Sequence, residues 1–253
     1  MQETYLRHLE RLKVMSPEEV SQQKERLIAS TPGKEWPYGF PASLDPRLVI
    51  IGVSPGNSPY KPKAGEESKR FLSEPGVING EESHYYYPDT RRYWNKIRFL
   101  ASSYFNFGGE YFSELDALSL TTHINLGENS SGKATLEDVE DDFVAWASSL
   151  VNKIHNPDVV ILLGLKKIIK SVDVSKRWNH SGGLKINWNN SGNKITFPCG
   201  AKNYTFELWK VVNSHEKEVK VVLWPNHPSR PPFGSMENWE SSVKVFLAQM
   251  QGT

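Results

Sequence analysis

Three short apolar runs constrain this chain more than any other feature: Leu48-Val49-Ile50-Ile51-Gly52, Val159-Val160-Ile161-Leu162-Leu163-Gly164 and Val219-Lys220-Val221-Val222-Leu223-Trp224. Near-continuous apolarity over five or six residues suits a strand of a parallel sheet, buried on both faces. Helical spacing separates the runs. Tyr93, Trp94, Ile97, Leu100 and Ala101 form one such pattern, and Leu136, Val139, Phe143, Trp146, Leu150 and Ile154 form a second, capped by Thr135 with Asp138. A lysine-rich helix should follow the second run, and a final helix should start at Met236. Strands alternating with helices predict an α/β domain built on a parallel sheet.

Before the first run, Tyr5, Leu6, Leu9 and Leu12 stand at helical spacing, and Ser16-Pro17-Glu18-Glu19 spells a cap, a first-turn proline and a capping-box glutamate. Proline and glycine between positions 31 and 46 break that pattern. Residues 1–45 therefore read as a helical extension and 46–253 as the main domain. The stretch 178–205, rich in Asn, Gly, Ser and aromatic residues, reads as an irregular or hairpin-like insertion. At 253 residues and 38% hydrophobic content, one core is the sensible count.

A formal charge of +1 argues against tail-driven binding of nucleic acid but leaves room for a local basic face. The lone Cys199 can supply neither an internal disulfide nor a multi-cysteine zinc or iron–sulfur site, so no metal and no cofactor are expected. No apolar run approaches the roughly 20 residues of a membrane span, and the first residues lack a signal-peptide core. A cytoplasmic, membrane-free monomer is the resulting expectation.

Ligands of open α/β sheets sit beyond the carboxyl ends of the strands. After the first run comes Gly52-Val53-Ser54-Pro55-Gly56-Asn57-Ser58, whose glycines permit a tight turn and close backbone approach. A long segment up to Tyr87 follows, rich in Pro, Gly, Lys and Glu, of the kind that serves function rather than linkage. After the third run comes Trp224-Pro225-Asn226-His227-Pro228-Ser229-Arg230-Pro231-Pro232-Phe233, a proline-framed loop presenting an imidazole, a hydroxyl and a guanidinium.

These two turns resemble those of the uracil-DNA glycosylase superfamily, in which a strand precedes Gly-x-(Asp/Asn)-Pro-(Gly/Tyr) and a later strand precedes His-Pro-Ser. Tyr86-Tyr87-Pro88 through Arg92-Tyr93-Trp94 is similar to the aromatic segment after the first motif in the mismatch-specific branch. Leu118-Ser119-Leu120-Thr121-Thr122 is similar to the strand carrying the base-discriminating asparagine, and 157–164 to the next strand. The likeness runs from about Leu48 to Leu247. It implies a three-layer α/β/α fold around a mostly parallel four-stranded sheet, and a monofunctional DNA glycosylase with DNA as partner.

Breaking an N-glycosidic bond leaves the sugar cation-like and the base anion-like. The resemblance gives His227 the role of hydrogen-bond donor to the departing base. Ser54 stands where an Asp or Asn orients water, so Asn57 nearby or Asp89 is the candidate helper, unless leaving-group stabilisation dominates. Val53, Tyr60, Thr122, His123 and Asn125 are candidate base-pocket residues, with Thr122 standing near the asparagine's position and Asn125 as the alternative. A threonine there implies a damaged, mismatched or modified pyrimidine, such as hypermodified phage cytosine, rather than plain uracil. Ser58, Lys61, Lys63, Ser229 and Arg230 are candidate phosphate contacts, with Arg91 and Arg92 beside them, and Arg230 or Phe233 is a candidate wedge.

Three rival readings carry less. A catalytically inactive glycosylase fold that binds nucleic acid would explain Ser54. A nucleotide-binding protein would use the same first turn, but neither a Gly-x-Gly-x-x-Gly nor a Gly-Lys-Ser/Thr loop is present. A serine hydrolase elbow is spelled by Gly52-Val53-Ser54-Pro55-Gly56, yet Pro55 removes the backbone donor an oxyanion hole would need.

Overall fold

The computed structural model describes residues 15–32, 43–53, 92–107, 112, 117–118, 120–127, 135–190, 192–199 and 202–251. The first described helix, α1 (Pro17–Ser30), starts with the capping box the sequence spells. The Ser16 hydroxyl accepts the Glu19 N–H and the Glu19 carboxylate accepts the Ser16 N–H, with Pro17 at the first position. Val20 and Leu27 dock α1 on the core. The earlier helix expected over 4–14 lies outside the described residues.

The three apolar runs become β1 (Leu48–Gly52), β3 (Val159–Leu163) and β6 (Glu218–Trp224). The strand β2 (Thr121–Asn125) pairs with β1 in parallel, placing Leu48 opposite Thr121 and Gly52 opposite Asn125. Strand β1 also runs parallel to β3, and β3 to β6. Two further strands, β4 (Asn193–Cys199) and β5 (Lys202–Val212), extend the sheet antiparallel beyond β6, in the order β2-β1-β3-β6-β5-β4.

The sheet is thus mixed and six-stranded, which corrects the four-stranded expectation. The cause lies in stretch 178–205, whose second half takes the hairpin-like alternative, β4 pairing antiparallel with β5 and joining the sheet. Its residues alternate between buried Ile195, Phe197 and Cys199 and exposed Lys194, Thr196 and Pro198, the period of a half-buried strand. Pro198 is tolerated because β4 is the edge strand.

Helices cover both faces. On one side α1, α3 (Asp141–Ser149) and α5 (Val172–Trp178) bury Val20, Leu27, Phe143, Ala147, Val174 and Trp178 against Val49, Ile51, Val160 and Leu162. On the other, α2 (Arg92–Asn106) and α6 (Met236–Gln251) bury Ile97, Leu100, Trp239, Val243 and Phe246 against Leu48, Ile50, Ile161 and Val222. The short α4 (Lys166–Ile169) follows β3. Among the described residues no helix is long and apolar enough to cross a membrane.

The helix predicted from Leu136 starts later than the sequence suggests. Residues Leu136–Asp138 make a single 3-10 turn, Val139 and Glu140 are extended, and Leu136 is exposed. The Glu140 N–H is diverted to the Leu126 carbonyl at 2.8 Å, so the backbone pairs with the end of β2 before α3 begins.

Two imidazoles are sealed in this core. Burial pulls both His123 and His155 down to about 3, helped by nearby His227 for the former and opposed by Asp45 for the latter. The unfolded chain binds these protons near 6.5, so it takes up more protons than the native state between the two values. Stability from the neutral rings is complete above pH 6.5 and declines as pH falls toward 3, by about 1.4 kcal/mol per pH unit for each ring. Denaturant midpoints measured at about pH 7.5 and about pH 4.5 should therefore differ clearly. Equal midpoints would contradict the burial of both rings.

Candidate active site

Because β2, β1, β3 and β6 run parallel, their carboxyl ends share one rim, the place where ligands of such sheets sit. Gly52 closes β1 on the face that also carries His123 and Asn125 of β2. A Cβ at Gly52 would stand 3.1 Å from Asn125 Oδ1 and 3.5 Å from His123 Nε2, so the glycine makes room for both side chains. Strand pairing closes just beyond, where the Leu126 N–H donates to the carbonyls of Gly52 and Val53.

At the far side of the rim, β6 delivers His227. The main chain and Cβ of His227 pack over Gly164, which directly follows β3 with φ at 68°. A Cβ at that position would stand 2.7 Å from the His227 nitrogen, so glycine is required both for the backbone conformation and for the approach. Two asparagine amides brace the proline-framed loop, Asn226 Nδ2 donating to the Pro231 carbonyl and Asn238 Nδ2 to that of Pro232, both at 2.9 Å.

The orientation of the imidazole is set within its own loop. The Arg230 N–H donates to the His227 carbonyl at 2.9 Å, and the Ser229 N–H donates to His227 Nδ1 at 3.2 Å. An Nδ1 that accepts leaves the proton on Nε2. Burial, then the charges of Arg230 and Lys96, lower the His227 pKa to about 4. At neutral pH the group is a fixed, uncharged N–H donor.

Tyr93, in the first turn of α2, joins the two sides. Its ring stacks on His227 at a centroid distance of 5.0 Å and an interplanar angle of 4°. Its hydroxyl is 2.6 Å from His123 Nε2, and the two rings meet edge-on. Burial keeps this phenol protonated well past the usual tyrosine range. His123, Tyr93 and His227 thus form one chain of neutral polar rings above β2, β1, β3 and β6, with Asn125 at its foot.

Several expectations meet this geometry differently. His123 and Asn125 lie on the rim face with Gly52, and His227 joins them through Tyr93. Thr122 does not: its neighbours in the strand alternate, and its hydroxyl accepts the Ser43 N–H at 2.9 Å on the opposite face. The alternative, Asn125, takes the place expected for Thr122. The Val53 side chain is likewise in the core under α1 and α3, leaving only its backbone at the rim.

Phe233 is a further correction. It is fully buried among Phe197, Trp224 and Trp239, with centroids 6.0, 6.1 and 5.8 Å away, and cannot serve as a wedge from there. Ser229 and Arg230 are exposed on the same loop. Ser54, Asn57, Ser58, Tyr60, Lys61, Lys63, Asp89 and Arg91 lie outside the described residues, as does the side chain of Arg92.

The sequence pattern hid Tyr93, which counts as one more apolar residue of a helical stripe, and Gly164, which looks like a plain strand end. A signal was available in the same stripe. Lys96 occupies a position between Tyr93 and Leu100 that an aliphatic residue would normally fill.

A scan against protein-family models gave no match to this chain, and a search of curated proteins gave none either.

Proposed function

We propose that this chain is a DNA glycosylase that takes a pyrimidine everted from DNA into the rim site and hydrolyses its N-glycosidic bond, leaving an abasic site. The observation that carries the reading is the neutral His227, whose Nε2–H is the free donor position of a ring fixed by Ser229 and Tyr93. As the bond breaks, negative charge collects on the base, on the O2 carbonyl in a pyrimidine. A preorganised donor costs no reorganisation at that moment, which is where such groups act most strongly. A neutral donor also binds a carbonyl without attracting free anions to the site.

Asn125 supplies the second element. An amide offers one acceptor and two donors, and can pair with the polar edge of a base. His123 and the Tyr93 hydroxyl add further polarity on the same face. The placing of Thr122 on the other face removes one ground for setting plain uracil aside. The ground that remains is Ser54, whose hydroxyl orients water less well than a carboxylate and suits a base that is already a good leaving group. A mismatched or modified pyrimidine is therefore the proposed substrate.

The test is a panel of oligonucleotides carrying uracil, mismatched thymine, hypoxanthine, and methylated or hypermodified cytosines, each incubated with the protein and then cleaved in alkali. Strand breaks at a modified or mismatched pyrimidine, reduced in Asn125→Ala and retained in Thr122→Val, are the expected result. DNA binding with no abasic site on any base would favour the non-catalytic reading instead.

A further inference from the structure

Lys96 is buried to 1% exposure although it carries a charge, which demands full pairing. Its Nζ donates to the Pro228 carbonyl at 2.8 Å, to the Gly234 carbonyl at 2.9 Å and to the Phe233 carbonyl. An ammonium has three donors, and three main-chain oxygens among the described residues accept from it. Pro228 directly follows His227, while Phe233 and Gly234 close the same loop, so one side chain ties both ends of it.

The anchor is itself held. Trp239 Nε1 of α6 donates to the Lys96 carbonyl at 2.9 Å, fixing the first turn of α2. Tyr93 and Lys96 stand three residues apart on that turn, one against the ring of His227 and the other against its loop. Beside the clamp lies a cavity of about 530 Å³ whose described lining includes Asn95, Lys96, Gly234, Ser235 and Met236.

We propose that Lys96 is a positioning residue for His227: by pinning the carbonyls of Pro228, Phe233 and Gly234 it sets where the imidazole stands over the rim. This rests on the excision reading only for its consequence in catalysis. A main-chain contact could brace the loop equally well, but a lysine also places a fixed positive charge near the ring. Among the described residues, the charged and titratable groups facing His227 are Arg230 from its own loop, Lys96 and Tyr93 from α2, and His123 from β2. The cations disfavour protonation at Nδ1, which would set an N–H against the Ser229 N–H and undo the turn.

The experiment compares the wild-type chain with Lys96→Met and Lys96→Arg in two readouts. The first is nitrogen NMR of His227 without DNA; the second is single-turnover excision across pH at saturating DNA. In Lys96→Met the His227 titration should rise above about 4 but stay well below 6.5, since burial and Arg230 still hold it down, carrying the acid limb of the rate profile with it. Turnover at neutral pH should fall by about 10²-fold while KM changes by less than about threefold. Lys96→Arg keeps the charge but aims a planar fork, so its titration should stay near wild type and its turnover should fall about tenfold.

A folded Lys96→Met with wild-type titration and turnover overturns the proposal, and so does a loss confined to DNA affinity. Should Lys96→Met fail to fold, Lys96→Arg decides, since wild-type turnover there also overturns it. A wild-type chain that excises no base sinks the excision reading, while the DNA-free NMR still decides the part played by Lys96.

Discussion

Alanine at position 227 should lower single-turnover excision by about 10²-fold or more while leaving the fold intact, the scale of losing one preorganised donor to a developing anion. The expectation of an intact fold follows from the contacts. His227 is only half-buried, its main-chain bonds to Arg230 survive truncation, and the loop keeps its braces at Asn226 and Asn238. The expectation of a slow enzyme follows from the Nε2–H, which alanine removes without replacement. Single-turnover rates beside thermal melts make the comparison, and an unchanged rate would remove His227 from the chemistry.

Gly164→Ala should be the most damaging small substitution at the rim. Two effects combine there. The residue has φ of 68°, a conformation that costs an L-residue on the order of 1–3 kcal/mol. The added methyl would also stand 2.7 Å from the His227 nitrogen and 3.0 Å from its Cα, so backbone must move rather than a flexible side-chain end. A displacement of His227 by as little as about 1 Å can cost on the order of 10²-fold in rate. The predicted variant is thus both less stable and slower, with the loss of rate exceeding anything the melt explains. A variant with full excision activity would show that His227 does not depend on its seat over β3.

How much of this was legible in the sequence depends on what each residue type can say by itself. The apolar runs at β1, β3 and β6 announce buried parallel strands because no polar position interrupts the apolar residues that both sheet faces require, apart from Lys220 near the start of β6. The capping box of α1 is local chemistry and is equally readable. The strands β4 and β5 were obscured because Asn, Gly and Pro dominate their surroundings, and alternation shows only once the partner strand is known. Register was the other blind spot: whether Thr122 or Asn125 faces the site turns on parity, and one residue of slip exchanges the two faces.

His227 was conspicuous because a lone imidazole in a proline-framed loop has few structural excuses. Tyr93 and Lys96 were not, since a helical stripe absorbs an aromatic ring, and a lysine among aliphatic residues is easily taken for a solvated one. Their work depends on a contact across 130 residues of sequence, from α2 to the loop after β6. Phe233 shows the converse error, an aromatic in the loop after β6 whose side chain packs in the core.

The account stands on one proposal, that a base everted from DNA enters between the ends of β1, β2 and β6 and is presented there to His227. A crystal structure of the protein with a duplex carrying a non-cleavable 2′-fluoroarabino nucleotide tests it most directly. The predicted result is an everted pyrimidine at this rim, its O2 about 2.7–3.1 Å from His227 Nε2 and its polar edge on Asn125. A base left stacked in the duplex, or DNA seated along the amino-terminal ends of the strands, would contradict it.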